Sequence, residues 1–274
     1  MKDNERKILI ANDITGYGRV STFAMLPIMA SYSLHPYVLP TSIVSNTMDY
    51  GSCEILDTSD FMKKAISKWD DFGFSFNVIS TGFINSAEQV SIISSLIKKH
   101  HPSFVMVDPI MADDGKLYPG MYEGAIECNR ELISLSSLCI PNLTEAEMLS
   151  DLYIGKSELL DKDYEAIIDK FKSLGAKDIV ITNCKEPSGK YFNLVYSGNH
   201  IEKVYYENVE DKFIGTGDVF SATLLSELLC GSDLINSVKI ASKFVREVII
   251  DNKNNLDKND LIIESSLYRL KKLD

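Results

Sequence analysis

The stretch FNVISTGFINSAEQVSIISSLIKKHHPSFVMVDP, residues 76–109, decides the fold. Two short apolar runs, FNVISTG (76–82) and SFVMVDP (103–109), flank a segment over 86–100 with a helical pattern. A strand, a helix and a second strand in that order form a right-handed crossover, so the strands lie parallel and the helix covers one face. The alternation extends both ways. KILIAND (7–13) reads as a buried strand, a helix follows near 21–33, and HPYVLPTSIVS (35–45) reads as another strand with its exit loop. SLCIPN (137–142) and KDIVITN (177–183) continue the series, with helical patterns over 144–151 and 162–174. The pattern changes at 190–207, where two strand-like runs are joined by Ser197-Gly198-Asn199, a hairpin signal. Helical segments near 217–230, 233–250 and 257–270 finish the chain. No repeat or linker divides it. The expectation is one α/β domain over 1–274, its mainly parallel sheet covered on both faces.

Composition narrows the function. Of 274 residues, 45% are hydrophobic and 24% charged, enough for a full core, and the formal net charge is −11. An acidic surface argues against nucleic acid or an anionic membrane as partner. It does not exclude an anionic ligand, because backbone amides and a metal can hold phosphate locally. The five cysteines form no CxxC pair, and the four histidines show no ligand spacing; His100-His101 reads as the polar end of a helix. No signal peptide or membrane-length apolar run is legible, so a cytoplasmic protein is expected.

Polar residues cluster where the strands end: Asn12-Asp13, Gly82-Phe83, Asp108, Asn142 with Glu145, and Thr182-Asn183. Ligands bind outside the carboxyl ends of strands in open parallel sheets. A further motif, Gly215-Thr216-Gly217-Asp218, opens an apolar helix. Its glycines permit positive φ, and the first amides of the helix point outward with the positive end of the macrodipole behind them. Such an anion hole suits a phosphoryl group, and a carboxylate beside it can take a proton from an attacking hydroxyl. Taken alone, the tetrapeptide is more often a plain turn with an acid in the first helical turn. Asn142 and Glu145 can face one way and suit Mg²⁺ directly or through its waters. A cap with Thr144 as first residue and Glu147 as box partner would explain that helix start without either of them.

With these residues in view, the chain resembles the pyridoxal/pyridoxamine kinases of vitamin B6 salvage, within the ribokinase-like superfamily. The matching stretches are IANDITGYGRVS (10–21), LPTSIVSN (39–46), STGF (80–83), VDPIMADDGKLY (107–118), PNLTEAE (141–147), VITN (180–183) and GTGDVF (215–220). The resemblance implies a three-layer α/β/α sandwich with a small or absent lid. It implies an ATP-dependent phosphotransferase acting on the hydroxymethyl group of a B6 vitamer. Asp218 would be the general base, and the amides of Gly215, Thr216 and Gly217 would hold the transferring phosphoryl. Asn142 and Glu145 would place Mg²⁺, and Asp113, Thr182 and Asn183 would lie at the ATP end, near a monovalent cation such as K⁺. Asn12 and Asp13 would meet the polar groups of the substrate ring. Phe83 would cover the ring face or serve as a core aromatic. A homodimer is also implied.

One stretch departs from the family. Where the family reads SNHTGY, this chain has Ser45-Asn46-Thr47-Met48-Asp49-Tyr50; the resemblance implies that Thr47 and the thioether of Met48 would lie beside the substrate. A hydroxyl partner is exchanged for an adaptable apolar group. Phosphoryl transfer is therefore better supported than substrate identity. A hydroxymethylpyrimidine or sugar kinase is the alternative enzyme, and a non-catalytic nucleotide or B6 binder the alternative of another class.

Overall fold

Strand β1 (Ile8–Thr15) lies inside a nine-stranded sheet, third from one edge, and its alternate residues supply two separate cores. The structure, a computed structural model, describes residues 7–118, 121–156, 158–257 and 260–272, with 49, 271 and 272 as backbone only. After β1 come α1 (Ser21–Ser31), β2 (Tyr37–Val44), β3 (Ile55–Asp57), α2 (Ser59–Asp71), β4 (Val78–Thr81) and α3 (Ala87–His100). The middle of the chain forms β5 (Phe104–Val107), β6 (Ala112–Asp113), β7 (Lys116–Leu117), α4 (Ala125–Ser134), β8 (Leu138–Cys139), α5 (Leu143–Ser150) and α6 (Asp161–Leu174). It ends with β9 (Asp178–Lys185), β10 (Tyr191–Ser197), β11 (His200–Tyr206), α7 (Thr216–Cys230) and α8 (Leu234–Asp251).

The strand order is β11-β10-β9-β8-β5-β4-β1-β2-β3, and β2, β1, β4, β5, β8 and β9 run parallel. Leu9 and Ala11 face α3, α4, α5 and α6, whose Val90, Leu132, Leu149 and Phe171 share their cluster. Ile8 and Ile10 face the other way, onto α1, α7 and α8. The period-2 alternation of a strand thus separates the two helical layers of an α/β/α sandwich. Helix α7 is apolar nearly all round because it packs against both α1 and α8 as well as the sheet. The hairpin of β10 and β11 turns through Gly198 and Asn199, both at positive φ as a two-residue turn requires. Beyond the main sheet, the described residues add only the small β6–β7 hairpin, so no separate lid sheet is present.

Three readings need correction. Helices α2 and α4 lie where the sequence offered no element; the face of α2 that packs on the core carries Met62, Ala65, Ile66 and Trp69. Residues 257–270 are not an α-helix, residues 258 and 259 lying outside the described ones; a 3-10 turn, Leu267–Lys272, is the only helical piece. Asn252 explains this. Its amide donates to the Val248 and Ile262 carbonyls and accepts from the Ile262 N–H, folding the chain back so that Leu261 and Ile263 point inward as in a strand.

Among the described residues, no helix is long and apolar enough to cross a membrane. All five cysteines are free thiols.

Candidate active site

The chain passes from β1 through α1 to β2 on one side, then returns through β4 on the other. At that reversal the loops after the strands diverge and leave a cleft. Its volume is about 650 Å³. Asp13, Thr47, Met48, Phe83, Asp113, Asn142, Glu145, Thr182, Asn183, Gly215, Thr216, Gly217 and Asp218 all line it. The fold thus brings together Asp13 and Asp218, 205 positions apart.

Gly215 holds φ at +90° and caps α7, leaving the amides of the first turn facing the cleft. A side chain there is excluded twice over. A Cβ would stand 2.6 Å from the Arg19 carbonyl oxygen, and the backbone is left-handed. Asp218 follows in the first helical turn and is half-buried. Burial pushes its carboxyl up to about 8; the Asp108 and Asp13 charges add to this, and the Ser21 amide, donating to it, opposes them. Ser21 makes that contact from the left-handed region at φ +52°, a conformation that costs a non-glycine residue about 1–2 kcal/mol.

The start of α5 corrects another expectation. The N-cap is Asn142, not Thr144, and its box partner is Glu145, not Glu147. The Asn142 side chain accepts from the Glu145 amide at 2.9 Å, and the Glu145 carboxylate accepts from the Asn142 amide at 2.9 Å. The other Glu145 oxygen accepts from Met111 at 3.0 Å and Ala112 at 3.4 Å. Asn142 also donates to the Ala112 carbonyl at 2.8 Å. Both residues thus fasten the loop after β5 to α5. Thr182 joins them through a parallel bridge to Asn142, and Asn183 beside it is left-handed at φ +60°.

The opposite end of the cleft is built from β1 and β2. Asp13 is 4% exposed; Thr15 donates to one of its oxygens at 2.8 Å and the other has no partner. Burial raises its pKa. Asn12 does not reach the cleft. Its carbonyl oxygen accepts from the Asp13 and Phe83 amides, and its amide lies against the Met25 sulfur. It is a fastener behind the wall, and Gly82 exists to admit it: a Cβ there would fall 2.4 Å from the Asn12 side chain. Phe83 is buried and lines the cleft. Thr47 is buried with an unpartnered hydroxyl, and Met48 opens a 3-10 turn beside it.

Asp108 was legible only as a strand end. It sits in the cleft, accepts from the Ser221 hydroxyl at 2.6 Å, and is raised well above the usual carboxylate range by burial. Ser221 lies three residues after Asp218, hence on the same face of α7. Burial and then the Asp108 charge likewise raise Glu145. Acids crowded so that they resist ionising suit a cation. They do not form a dry cage: among the described residues no three His, Cys, Asp or Glu side chains are grouped to hold a metal. Both Glu145 oxygens are already bonded to amides. The donors fit Mg²⁺ held through water with phosphate oxygens as its own ligands, the usual habit of that ion.

A phosphomethylpyrimidine kinase family profile matches residues 24–262. The pyridoxine/pyridoxal/pyridoxamine kinase of Bordetella avium is 26% identical over 248 residues, covering 85% of this chain and 81% of its own. The hydroxymethylpyrimidine/phosphomethylpyrimidine kinase of Aquifex aeolicus is 24% identical over 254 residues, covering 89% and 96%. A Bacteroides thetaiotaomicron protein ascribed to the phosphomethylpyrimidine kinases, in its orthorhombic form with pyridoxal, superposes with a TM-score of 0.91. It is 28% identical, over 97% of this chain and 96% of its own. Pyridoxal kinase from Lactobacillus plantarum, 22% identical, shares the fold with a TM-score of 0.89 over 98% of each chain.

Proposed function

This chain belongs to the phosphomethylpyrimidine kinase family, and we propose that it transfers the γ-phosphoryl of ATP to the hydroxymethyl group of pyridoxal, pyridoxamine or pyridoxine. The observation that carries this reading is the shared cleft: the Asp218 carboxylate and the α7 amides face Asp13, Thr47, Met48 and Phe83 across one volume. The likeness to a protein crystallised with pyridoxal supports a B6 vitamer over hydroxymethylpyrimidine.

In this mechanism the substrate ring lies against Phe83 and Met48, with Asp13 and Thr47 meeting its polar groups. Its hydroxymethyl oxygen points at Asp218, which takes the proton as the bond to phosphorus forms. The amides of Gly215, Thr216 and Gly217 hold the transferring phosphoryl, whose charge grows on its equatorial oxygens. Asn142 and Glu145 would hold Mg²⁺ through its waters, and the ion supplies neutralisation of the phosphate charge. Asp113, Thr182 and Asn183 lie toward the nucleotide.

The test is a steady-state assay with Mg-ATP and a panel of pyridoxal, pyridoxamine, pyridoxine, hydroxymethylpyrimidine and ribose. Turnover of B6 vitamers in preference to the rest is expected. Preference for hydroxymethylpyrimidine would move the chain to the other branch of its family, and calorimetric binding without turnover would make it a binder.

A pH profile follows from Asp218. A base must be deprotonated to act, so kcat/KM for Mg-ATP, which reports the free enzyme, rises with pH and levels near pH 8. Below that level the expected slope is about tenfold per pH unit. At saturating Mg-ATP, kcat reports the same carboxyl in the loaded enzyme and is likewise expected to rise with pH. A flat profile from pH 6 to 9 with pyridoxine would remove Asp218 from the role of base.

A further inference from the structure

The lining of the cleft is unbalanced in charge. Asp13, Asp108, Asp113, Glu145 and Asp218 face it with Asp114, Glu207 and Asp211 at its margins, whereas the described cations lining it are Lys212 and Arg246. Arg246 is committed on α8, held by Glu207 at 2.7 Å and Glu247 at 3.3 Å. Lys212 is different. It stands three residues ahead of Gly215, on the loop that ends in the anion hole, and its side chain is exposed. Its Nζ lies 3.2 Å from Asp114.

Asp114 belongs to the turn of the β6–β7 hairpin, at φ +48°. That turn is tied to α5 through the Gly115 amide, which donates to the Thr144 hydroxyl at 3.1 Å. The pair therefore spans the cleft from the start of α7 to the start of α5, the two elements that carry the expected phosphate groups. An exposed pair of this kind contributes little to stability, and a lysine carries three donors on a flexible stem. A polyphosphate entering between the elements would repel Asp114 and attract Lys212, and ammonium–phosphate hydrogen bonds are among the stronger ones.

We infer that Lys212 is a phosphate-binding residue that Asp114 holds at the cleft mouth until nucleotide arrives, when the ammonium passes from carboxylate to the ATP phosphates. The inference rests on the kinase reading. Lys212 needs only to position and neutralise the nucleotide; the proton transfer stays with Asp218.

The experiment is calorimetric titration of the full chain with Mg-ATP and, separately, with adenosine, no acceptor being present. Lys212→Met is expected to weaken Mg-ATP about tenfold, the usual worth of a hydrogen bond to a charged group, and to leave adenosine unchanged. Asp114→Asn removes the competitor, so it is expected to tighten Mg-ATP about two- to threefold. Unchanged melting temperatures in both variants would keep folding out of the comparison. The inference is overturned if Lys212→Met leaves Mg-ATP affinity intact or weakens adenosine equally. It is also overturned if Asp114→Asn weakens Mg-ATP as much as Lys212→Met does, since the pair would then be only a staple between loops. Wild-type protein that binds no Mg-ATP at all would sink the kinase reading first, and this inference with it.

Discussion

Asp218→Asn is expected to lower turnover about a thousandfold, within the range for loss of a general base, while Mg-ATP and the acceptor bind with affinities changed by no more than a few-fold. The substitution keeps the side-chain volume and an oxygen that can still accept from the Ser21 amide, so the local geometry survives. Only the proton acceptor is lost. Steady-state rates and calorimetry on the same preparation separate the two effects. The same variant should be more stable than wild type. Unfolded, the carboxyl ionises near the ordinary value; folded, it does so only near pH 8. Between those values the unfolded chain releases a proton that the folded chain keeps, so wild-type stability falls as pH climbs from 4 to 8. Asparagine removes that loss. The melting temperature of Asp218→Asn is expected to match wild type at pH 4 and exceed it by about 2–6 °C at pH 8, a trade of stability for activity common at catalytic sites. Equal melting temperatures at pH 8, or turnover within tenfold of wild type, would contradict the role given to this carboxylate.

Gly215→Ala is the second large effect. The Cβ would collide with the Arg19 carbonyl at 2.6 Å and crowd Val20 at 3.2 Å, and φ is +90°. Strain and overpacking together are expected to cost about 2–4 kcal/mol. Relief requires that α7 and the loop carrying Arg19 move apart, which displaces the anion hole relative to Asp13. A shift of about 1 Å in a catalytic constellation costs about a hundredfold in rate. Gly217→Ala is the control: its Cβ meets nothing within 4 Å, so stability should hold. Thermal melts and kcat for the two variants decide the matter. A Gly215→Ala protein as stable and active as wild type would mean that the close approach to Arg19 does not constrain the site.

Much of this was legible because the chemistry of a parallel sheet leaves a strong trace. Buried strands read as unbroken apolar runs, and the polar residue that ends each one marks the rim, as with Asp13, Asp108 and Asn142. The tetrapeptide at 215–218 was readable only beside Asn142 and Glu145, since glycines and an acid at a helix start are common on their own. Roles decided by side-chain direction were not readable. Asn12 and Asp13 are neighbours on a strand, so they face opposite ways, and only Asp13 reaches the cleft. Spacing could suggest that Asn142 and Glu145 face one way, but not that both would be spent on amides of the loop after β5. The shift of Asp218 comes first from burial and then from the Asp108 and Asp13 charges, all set by tertiary packing, and no local pattern carries it. Helix α2 was overlooked although Met62, Ala65, Ile66 and Trp69 recur at helical spacing and pack on the core; only Phe61 of its large apolar residues is exposed.

The crossovers that bring residues 13 and 218 into one cleft also bear on how the protein comes to life. Contacts between distant segments carry the largest loop-closure cost, so chains dominated by them fold slowly and through partly ordered species. The first strands and α3 can gather a core before α7 is made, but such a species has neither anion hole nor base. The cleft is complete only once α7 has docked, so a nascent chain that ends before residue 215 is expected to show no activity.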